Sequence, residues 1–97
     1  MTFIVVKKLV WNTYNTEHIK KHKVTAEEVS EAARNLLYHR KTYNNRYLAV
    51  GRGGKRLITF IIRRVAQGEY YLVTARDSDK KERKRAYEKE KIKNTSI

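Results

Sequence analysis

Apolar and polar positions recur with two different periods along the chain, and the change of period separates helices from strands. The first segment, Thr2 to Trp11, is rich in valine and isoleucine and too short for a buried helix, which predicts a strand. The polar segment after it predicts a short helix that ends near His22. The start of that helix stays open, because four cap-forming residues compete for it: Asn12, Thr13, Asn15 and Thr16.

A second helix is marked by start signals in the segment VTAEEVSEAARNLL. Thr25 lies three residues before Glu28, the spacing of a capping box, and Val24 and Val29 stand at the two ends of a hydrophobic staple. Apolar residues then recur at helical spacing in one stripe, which predicts a helix face packed in the core. The stripe consists of Val29, Ala32, Ala33, Leu36 and Leu37.

Beyond Tyr43 the pattern becomes that of strands joined by hairpins. The runs Arg46 to Arg52 and Arg56 to Val65 flank a Gly-Gly dipeptide, which tolerates the positive φ angles of a tight turn. The second run is apolar through LITFII except at Thr59, as expected for a central strand covered on both faces. A further strand, Glu69 to Arg76, follows through a second hairpin, and a weaker strand is expected near residues 37–42.

A last helix is predicted to begin just before Glu82 and to run to about Ile92, with residues 93–97 as a disordered tail. Its cap is one of three adjacent residues: Asp77, Ser78 or Asp79. Strands joined by hairpins, with helices segregated at the ends, predict a single α+β domain over residues 1–97. Its antiparallel sheet would carry two helices from the N-terminal half and one from the C-terminus.

The composition points to an anionic partner. The chain has 23 Lys and Arg against 10 Asp and Glu, a formal net charge of +13, and such a field attracts nucleic acid or an acidic protein. No membrane association is expected, because the basic residues do not line one amphipathic helix and the apolar runs are too short to span a bilayer. The chain has no cysteine, which excludes a disulfide scaffold and fits a cytoplasmic protein.

Arginines at strand ends are the first candidates for binding. Arg52 and Arg76 end two strands that run in the same direction in a meander, so both are expected at one edge of the sheet. Arg56, Arg63 and Arg64 are close in sequence and extend the predicted patch. A guanidinium group keeps its charge and binds a phosphate through two donors, which makes this a candidate phosphate site. The alternative is that these arginines only solvate the strand ends.

The last basic segment and the histidines add two further observations. From residue 76 to 93 nine residues are basic and five acidic, mostly on a solvated helix whose few apolar residues hold it weakly: Ala86, Tyr87 and Ile92. His18 and His22 have the i, i+4 spacing of metal ligands, but no further ligand completes a set, so neither a metal nor another cofactor is expected. A histidine near arginines can instead transfer protons.

Three segments, in this order, resemble the BrnT family of type II toxin–antitoxin ribonucleases: LVWNTYNTEHIKKHKVTAEEV, RYLAVGRGGKRLITFII and YLVTARDSDKKERKRAYEKE. They cover Leu9 to about Glu90. The resemblance implies a RelE-like α+β fold and a toxin that cleaves RNA without a metal and inhibits translation. It also implies a cognate antitoxin protein that masks the active surface in a toxin–antitoxin hetero-oligomer.

Carried over onto this sequence, the catalytic positions of the family fall on His22, Arg52, Arg76, Glu82 and Tyr87. RNA-binding positions are expected around them, at Lys20, Arg56, Arg63 and Arg83. The sequence departs from the family at three places. Lys23 stands where glycine is usual, so the turn after His22 is expected to be strained or different; Asn12 replaces an aspartate and Thr74 a serine.

The chemistry of such an enzyme fits these residue types. The RNA 2′-OH attacks the neighbouring phosphate, which requires a base, an acid and cations that stabilise the phosphoryl charge. Arg52 and Arg76 suit the cationic role, and His22 and Glu82 suit the proton transfers, without a choice between acid and base. Two other interpretations stay open: a non-catalytic module that binds nucleic acid, and a basic domain that only docks an acidic protein.

Overall fold

The structure is a computed structural model that describes residues 4–95, with side chains described for residues 4–91. The elements in chain order are β1 (Lys8–Val10), α1 (Thr13–Lys20), α2 (Ala26–Arg34), β2 (Leu36–Lys41), β3 (Arg46–Gly53), β4 (Arg56–Ala66), β5 (Glu69–Asp77) and α3 (Lys80–Thr95). Helix α3 continues beyond the predicted end at residue 92, and residues 96 and 97 of the predicted tail lie outside the described residues. None of the helices in the described range is long and apolar enough to span a membrane.

The described strands form one sheet in the order β1-β5-β4-β3-β2. Neighbours from β5 to β2 are antiparallel, whereas β1 pairs parallel with β5. The α+β class and the central position of β4 are confirmed, and the antiparallel prediction fails only at the β1 edge. A parallel pair needs a long connection, and most of the chain lies between these two strands.

The first hairpin turns one residue later than the sequence suggests. Gly53 still pairs with Arg56, so the turn consists of Gly54, at φ 65°, and Lys55. Gly53 stays in the strand because α2 lies close above it: a Cβ atom there would be 2.3 Å from the carbonyl oxygen of Glu28. The glycine pair therefore has two separate functions, a close approach of backbones and a left-handed turn.

Helix α2 ends earlier than its apolar stripe. Its start is confirmed, with the reciprocal capping box between Thr25 and Glu28, but Leu36 and Leu37 belong to β2 and not to the helix. The chain leaves the helix and joins the sheet here, because the carbonyl oxygen of Asn35 accepts a hydrogen bond from the backbone N–H of Arg52 at 3.2 Å. The prediction for the two leucines is therefore wrong, since apolar residues in a pair fit both a helix stripe and the two faces of a strand.

Each face of the sheet carries its own core. Helices α1 and α2 cover the face with the larger cluster, in which Val29, Ala32 and Ala33 of α2 pack against β3 and β4, and Ile19 of α1 lies on the side of β5. Helix α3 covers part of the opposite face, where a smaller cluster includes Leu48, Val50, Leu57 and Ala86.

Helix α1 is attached to the sheet by an asparagine pair. Asn12 and Asn15 cap each other, each side-chain oxygen accepting from the backbone N–H of the other at 3.0 and 2.9 Å. Asn15 is fully buried and donates to the carbonyl oxygens of Val10 and Leu72, both at 3.0 Å. The asparagine at position 12 is therefore a working helix cap, a role that an aspartate also performs.

Candidate functional site

Four residues form a row across the sheet on the face that α3 covers. The strand register places Tyr38 opposite Val50, Val50 opposite Thr59, and Thr59 opposite Arg76. Residues that pair directly across neighbouring strands project to the same face, with Cβ atoms about 4.5–5.5 Å apart. The row therefore brings a phenol, a buried hydroxyl and a guanidinium group to one line beneath the start of α3.

Glu82, in the first turn of α3, joins this row. One of its carboxylate oxygens accepts hydrogen bonds from Thr59 Oγ1 at 2.9 Å and from Arg76 at 2.8 Å, and the other accepts from Arg76 at 2.9 Å. The backbone N–H of Asp79 also donates to Glu82 at 2.8 Å, and Asp79 accepts in return, so these two residues form the cap of α3. The side chain of Glu82 is only 12% exposed, whereas that of Arg76 is 42% exposed and reaches solvent.

Burial and hydrogen bonding act on the pKa of Glu82 in opposite directions. Burial raises it, but the hydrogen bonds from Arg76, Asp79 and Thr59 outweigh burial and leave the pKa of Glu82 below its ordinary value. Burial, followed by the Glu82 charge, raises the pKa of the Tyr38 hydroxyl. At neutral pH the site therefore holds an ionised carboxylate beside a neutral phenol.

Arg52 lies on the same face and at the same end of the sheet as Arg76, as the meander predicts. It pairs with Leu57, two residues before Thr59 on β4, and it binds Glu90 of α3 through Nε at 2.6 Å and through its terminal nitrogen at 2.8 Å. Hydrogen bonding to Glu90 raises the pKa of Arg52, and the hydroxyl of Tyr87 adds to that effect. Tyr87 is therefore beside Arg52, with 54% of its surface exposed.

Ionic contacts hold α3 where apolar contacts are few. Ala86 is fully buried, Tyr87 is largely exposed, and the side chain of Ile92 lies outside the described ones. The predicted thin apolar stripe is thus found in the described part of the helix. Glu82 and Glu90, eight positions apart, each bind one arginine of the sheet through two hydrogen bonds.

A cavity of about 420 Å³ opens beside Glu82. Its lining combines the carboxylate and the phenol with basic side chains: Tyr38, Arg40, Leu48, Asp79, Lys81, Glu82 and Arg85. A phosphate group there would meet the cations Arg40, Lys81 and Arg85 together with the Glu82 carboxylate. The cavity therefore combines charge stabilisation with a group that can exchange a proton.

Arg56, predicted to bind RNA, forms its hydrogen bonds with other residues of the protein. Its guanidinium group donates to both carboxylate oxygens of Glu28 at 2.8 Å, to Asp77 at 3.0 Å and to the carbonyl oxygen of Lys23. These contacts tie α2, the turn after α1 and the end of β5 to the start of β4. We therefore assign Arg56 a structural role.

Three further predicted RNA-binding residues lie apart from this cavity. Arg63 is seven residues beyond Arg56 on β4, about 23 Å along the strand, at the opposite end of the sheet. Lys20 lies on α1 in an exposed ion pair with Glu17 at 3.1 Å. Arg83 donates to the carbonyl oxygen of Ser78 at 2.7 Å, which ties the first turn of α3 to the segment before it. A single arginine patch, as expected from closeness in sequence, is not formed.

His22 lies in the exposed turn after α1, on the side of the sheet opposite Glu82. Its ring is 5.5 Å from that of His18, and among the described residues no hydrogen bond or ion pair joins it to Arg76 or Glu82. Lys23 adopts φ 57°, the left-handed region that favours glycine, so of the two expected outcomes for this turn the structure shows the strained one. In the described range no group of three or more His, Asp or Glu side chains is placed to hold a metal ion.

Two residues of the site, Tyr38 and Thr59, are not predicted from the sequence. Thr59 carries a signal, because it is the single hydroxyl in an apolar strand segment and a buried hydroxyl needs a partner. It finds two partners, Glu82 and, at 2.7 Å, Ser78. Tyr38 carries no comparable signal, since only the register of β2 places it in the row.

The fold and the cavity define a small basic α+β protein whose C-terminal helix lies across a five-stranded sheet and contributes the Glu82 carboxylate to a cavity also lined by Arg40, Lys81 and Arg85. No protein-family model and no curated protein matches the chain. Among solved structures, it is similar to the crystal structure of the Brucella abortus ribonuclease toxin BrnT, with a TM-score of 0.62. The match covers 75% of this chain and 97% of that chain at 21% sequence identity. The BrnT-like fold expected from the sequence is thereby confirmed.

Proposed function

We propose that this protein is an endoribonuclease toxin of a type II toxin–antitoxin system, which cleaves RNA without a metal ion. The observation that carries the proposal is the Arg76–Glu82 pair: a largely buried carboxylate bound at 2.8 and 2.9 Å by an arginine that is still 42% exposed. Arg52 lies on the same face and the same end of the sheet. The BrnT-like fold supports the proposal.

Glu82 is the base in this mechanism. Its carboxylate takes the proton of the RNA 2′-OH, the 2′ oxygen bonds to the phosphorus, and the bond from phosphorus to the 5′ oxygen breaks. The products are a 2′,3′-cyclic phosphate and a 5′-hydroxyl end. The substrate phosphate also competes for Arg76; since Arg76 is part of what lowers the pKa of Glu82, binding makes Glu82 a stronger base.

Arg76 and Arg52 stabilise the charge that develops on the phosphoryl oxygens, where one well-placed donor is worth about 3–4 kcal/mol. Arg52 becomes available when a phosphate replaces Glu90. The leaving 5′ oxygen takes its proton from Tyr87, which lies beside Arg52. His22 lies on the opposite side of the sheet, so Tyr87→Phe should reduce cleavage whereas His22→Gln should not.

Glu82→Gln tests the proposal directly. Glutamine can still form the capping box with Asp79, so the helix start is kept while the base is lost. We expect cleavage of single-stranded RNA in EDTA to fall by roughly 10²–10⁴-fold, the usual contribution of a general base. Glu88→Gln, an exposed position on the same helix, is the matched control and should cleave like the parent. Parental activity in Glu82→Gln would contradict the assignment.

The remaining parts of the proposal are a cytoplasmic location, inhibition of translation and a cognate antitoxin in a hetero-oligomer. The net charge of +13 supports an acidic partner as well as RNA. Expression of the protein should stop growth, and co-expression of its antitoxin should restore it. A non-catalytic nucleic-acid-binding module is the second candidate, favoured by the same charge; such a module would bind RNA and leave it intact.

A further inference from the structure

The sheet face that carries the candidate site is covered by α3 only in part. Along β4, Leu57 and Thr59 on this face are 4% and 1% exposed, Ile61 is half-buried, and Arg63 is exposed. The exposure of this single strand shows where the helix stops covering the sheet. Beyond Ile61 the face is open to solvent.

Three arginines from three strands project from this open half. Arg46 pairs directly with Arg63 in the sheet register, and Arg40 pairs with Leu48, one step along the strand from Arg46 on the same face. Arg46 and Arg63 are thus directly opposite, and Arg40 is diagonal to Arg46, about 7–8 Å away. We call Arg40, Arg46 and Arg63 the arginine face.

The charges of the arginine face are not neutralised within the described chain. Arg52, Arg56 and Arg76, at the other end of the sheet, each bind a carboxylate, whereas none of the salt bridges among the described residues involves the arginine face. Like charges directly opposite each other on neighbouring strands destabilise a sheet. Among the described residues, the buried Nε of Arg46 also has no hydrogen-bond partner. A phosphate bound by the exposed parts of these arginines would offset the repulsion between Arg46 and Arg63.

Tyr71 gives this surface a second property that suits nucleic acid. The guanidinium carbon of Arg63 lies 5.5 Å from the centre of the Tyr71 ring, so the ring holds the guanidinium in place by a cation–π contact. Aromatic rings and guanidinium planes within a basic surface are what single-stranded nucleic acid uses for stacking. From Arg63 to Thr59 is four residues, about 13 Å along β4, so the surface leads directly to Glu82.

We propose that the arginine face is the track that binds single-stranded RNA next to the cleavage site, with Arg40, Arg46 and Arg63 on successive phosphates. This choice of ligand rests on the proposed ribonuclease function, which selects RNA among polyanions. Arg63 is predicted from the sequence to bind RNA, and in the structure it lies with Arg40 and Arg46 on one face of the sheet. The alternative occupant, an acidic protein segment, is an outcome of the test below.

The test measures binding alone, so that it does not depend on catalysis. Its probe is a fluorescent single-stranded 2′-O-methyl oligoribonucleotide, which lacks the attacking hydroxyl. Anisotropy titrations at several salt concentrations compare the parent with Arg63→Gln, Arg46→Gln and Arg64→Gln. Arg64 is the matched control, because it follows Arg63 in the chain but projects to the opposite face of the sheet.

We expect Arg63→Gln and Arg46→Gln each to weaken binding on the order of tenfold and to reduce the slope of log K against log salt by about 0.7, one phosphate contact on a single strand. Arg64→Gln should leave the slope unchanged. Equal effects of Arg63→Gln and Arg64→Gln would show a diffuse charge effect and overturn the proposal. Unchanged RNA binding in both Arg63→Gln and Arg46→Gln would also overturn it, and an acidic protein would then be the favoured ligand of the arginine face.

Failure of the proposed function would look different. If the arginine face binds the 2′-O-methyl strand as expected but the parent protein never cuts an ordinary RNA, the catalytic proposal fails and the track remains. Thermal unfolding of each variant serves as the check on folding. Arg63→Gln is the decisive variant, because this side chain is exposed and its removal leaves the core unchanged.

Discussion

Glu28→Gln removes the charge that Arg56 binds between α2 and β4, and its effect on stability can be worked out from the structure. Both carboxylate oxygens of Glu28 accept from Arg56 at 2.8 Å, and this contact is the largest cause that lowers the pKa of Glu28 from 4.5 to about 2. A shift of that size corresponds to between about 3 and 4 kcal/mol before solvent screening. The two side chains are 28% and 30% exposed, so solvent screening reduces the expected contribution to about 1–2 kcal/mol.

The sign of the pH dependence follows from the lowered pKa. Because the folded state holds the Glu28 proton less tightly than the unfolded state, the contribution is fully present above about pH 4.5 and is lost as the pH falls toward 2. Glu28→Gln should therefore be less stable than the parent by about 1–2 kcal/mol at pH 7. The difference should shrink by more than half at pH 3.

Urea unfolding followed by the fluorescence of Trp11, the single tryptophan, measures this difference at both pH values. Glu27→Gln is the control, since Glu27 is the exposed neighbour of Glu28 on the same helix. A difference between parent and Glu28→Gln that is the same at pH 7 and pH 3 would refute the reasoning. It would show that the ion pair does not anchor Arg56, and the prediction that Arg56 binds RNA would then be open again.

Three further substitutions test separate parts of the structure. Gly51→Ala should cost about 2–4 kcal/mol in urea unfolding, because its Cβ would lie 1.9 Å from a carbonyl oxygen of α2; a loss below about 1 kcal/mol would disprove this close approach. Thr59→Val removes a hydrogen bond to Glu82 and should move the acidic limb of the cleavage pH profile to higher pH, since one cause of the low pKa is lost; an unmoved limb would exclude Glu82 as the titrating group. Tyr87→Phe, at an exposed position, should leave stability within about 0.5 kcal/mol while reducing cleavage, and full activity would remove Tyr87 from the mechanism.

Local signals in the sequence predict most of the fold. The capping box of α2, the apolar run of β4 and the presence of both hairpins carry their information within a few residues, and the structure confirms them. Of the three candidate caps of α3 the structure selects Asp79, and the turn of the first hairpin lies one residue later than predicted. The end of α2 is missed because two adjacent leucines satisfy a helix stripe as well as a strand. That conflict is resolved by hydrogen bonds to β3, which no local pattern shows.

From the residue pattern alone, the candidate site is predicted only where it depends on strand direction, whereas Glu82 and Tyr87 follow from the family resemblance. Arg52 and Arg76 are correctly expected at one edge, because a meander fixes the direction of its strands. The row that joins Tyr38 to Thr59 depends on register, and the irregularity near the start of β2 shows how a shift of one residue would reverse the faces. Arg56 and Arg63 are close in sequence, but an extended strand separates them widely.

The most direct test of the central claim is a DNA oligonucleotide that contains a single ribonucleotide, incubated with the protein in EDTA. If Glu82 and the two arginines promote attack by a 2′-hydroxyl, the strand is cut only after that ribonucleotide, and the products carry a 2′,3′-cyclic phosphate and a 5′-hydroxyl. The all-deoxy strand stays intact, and Glu82→Gln abolishes the cut. Cleavage at deoxynucleotides, or cleavage that requires an added metal ion, would contradict the proposed mechanism.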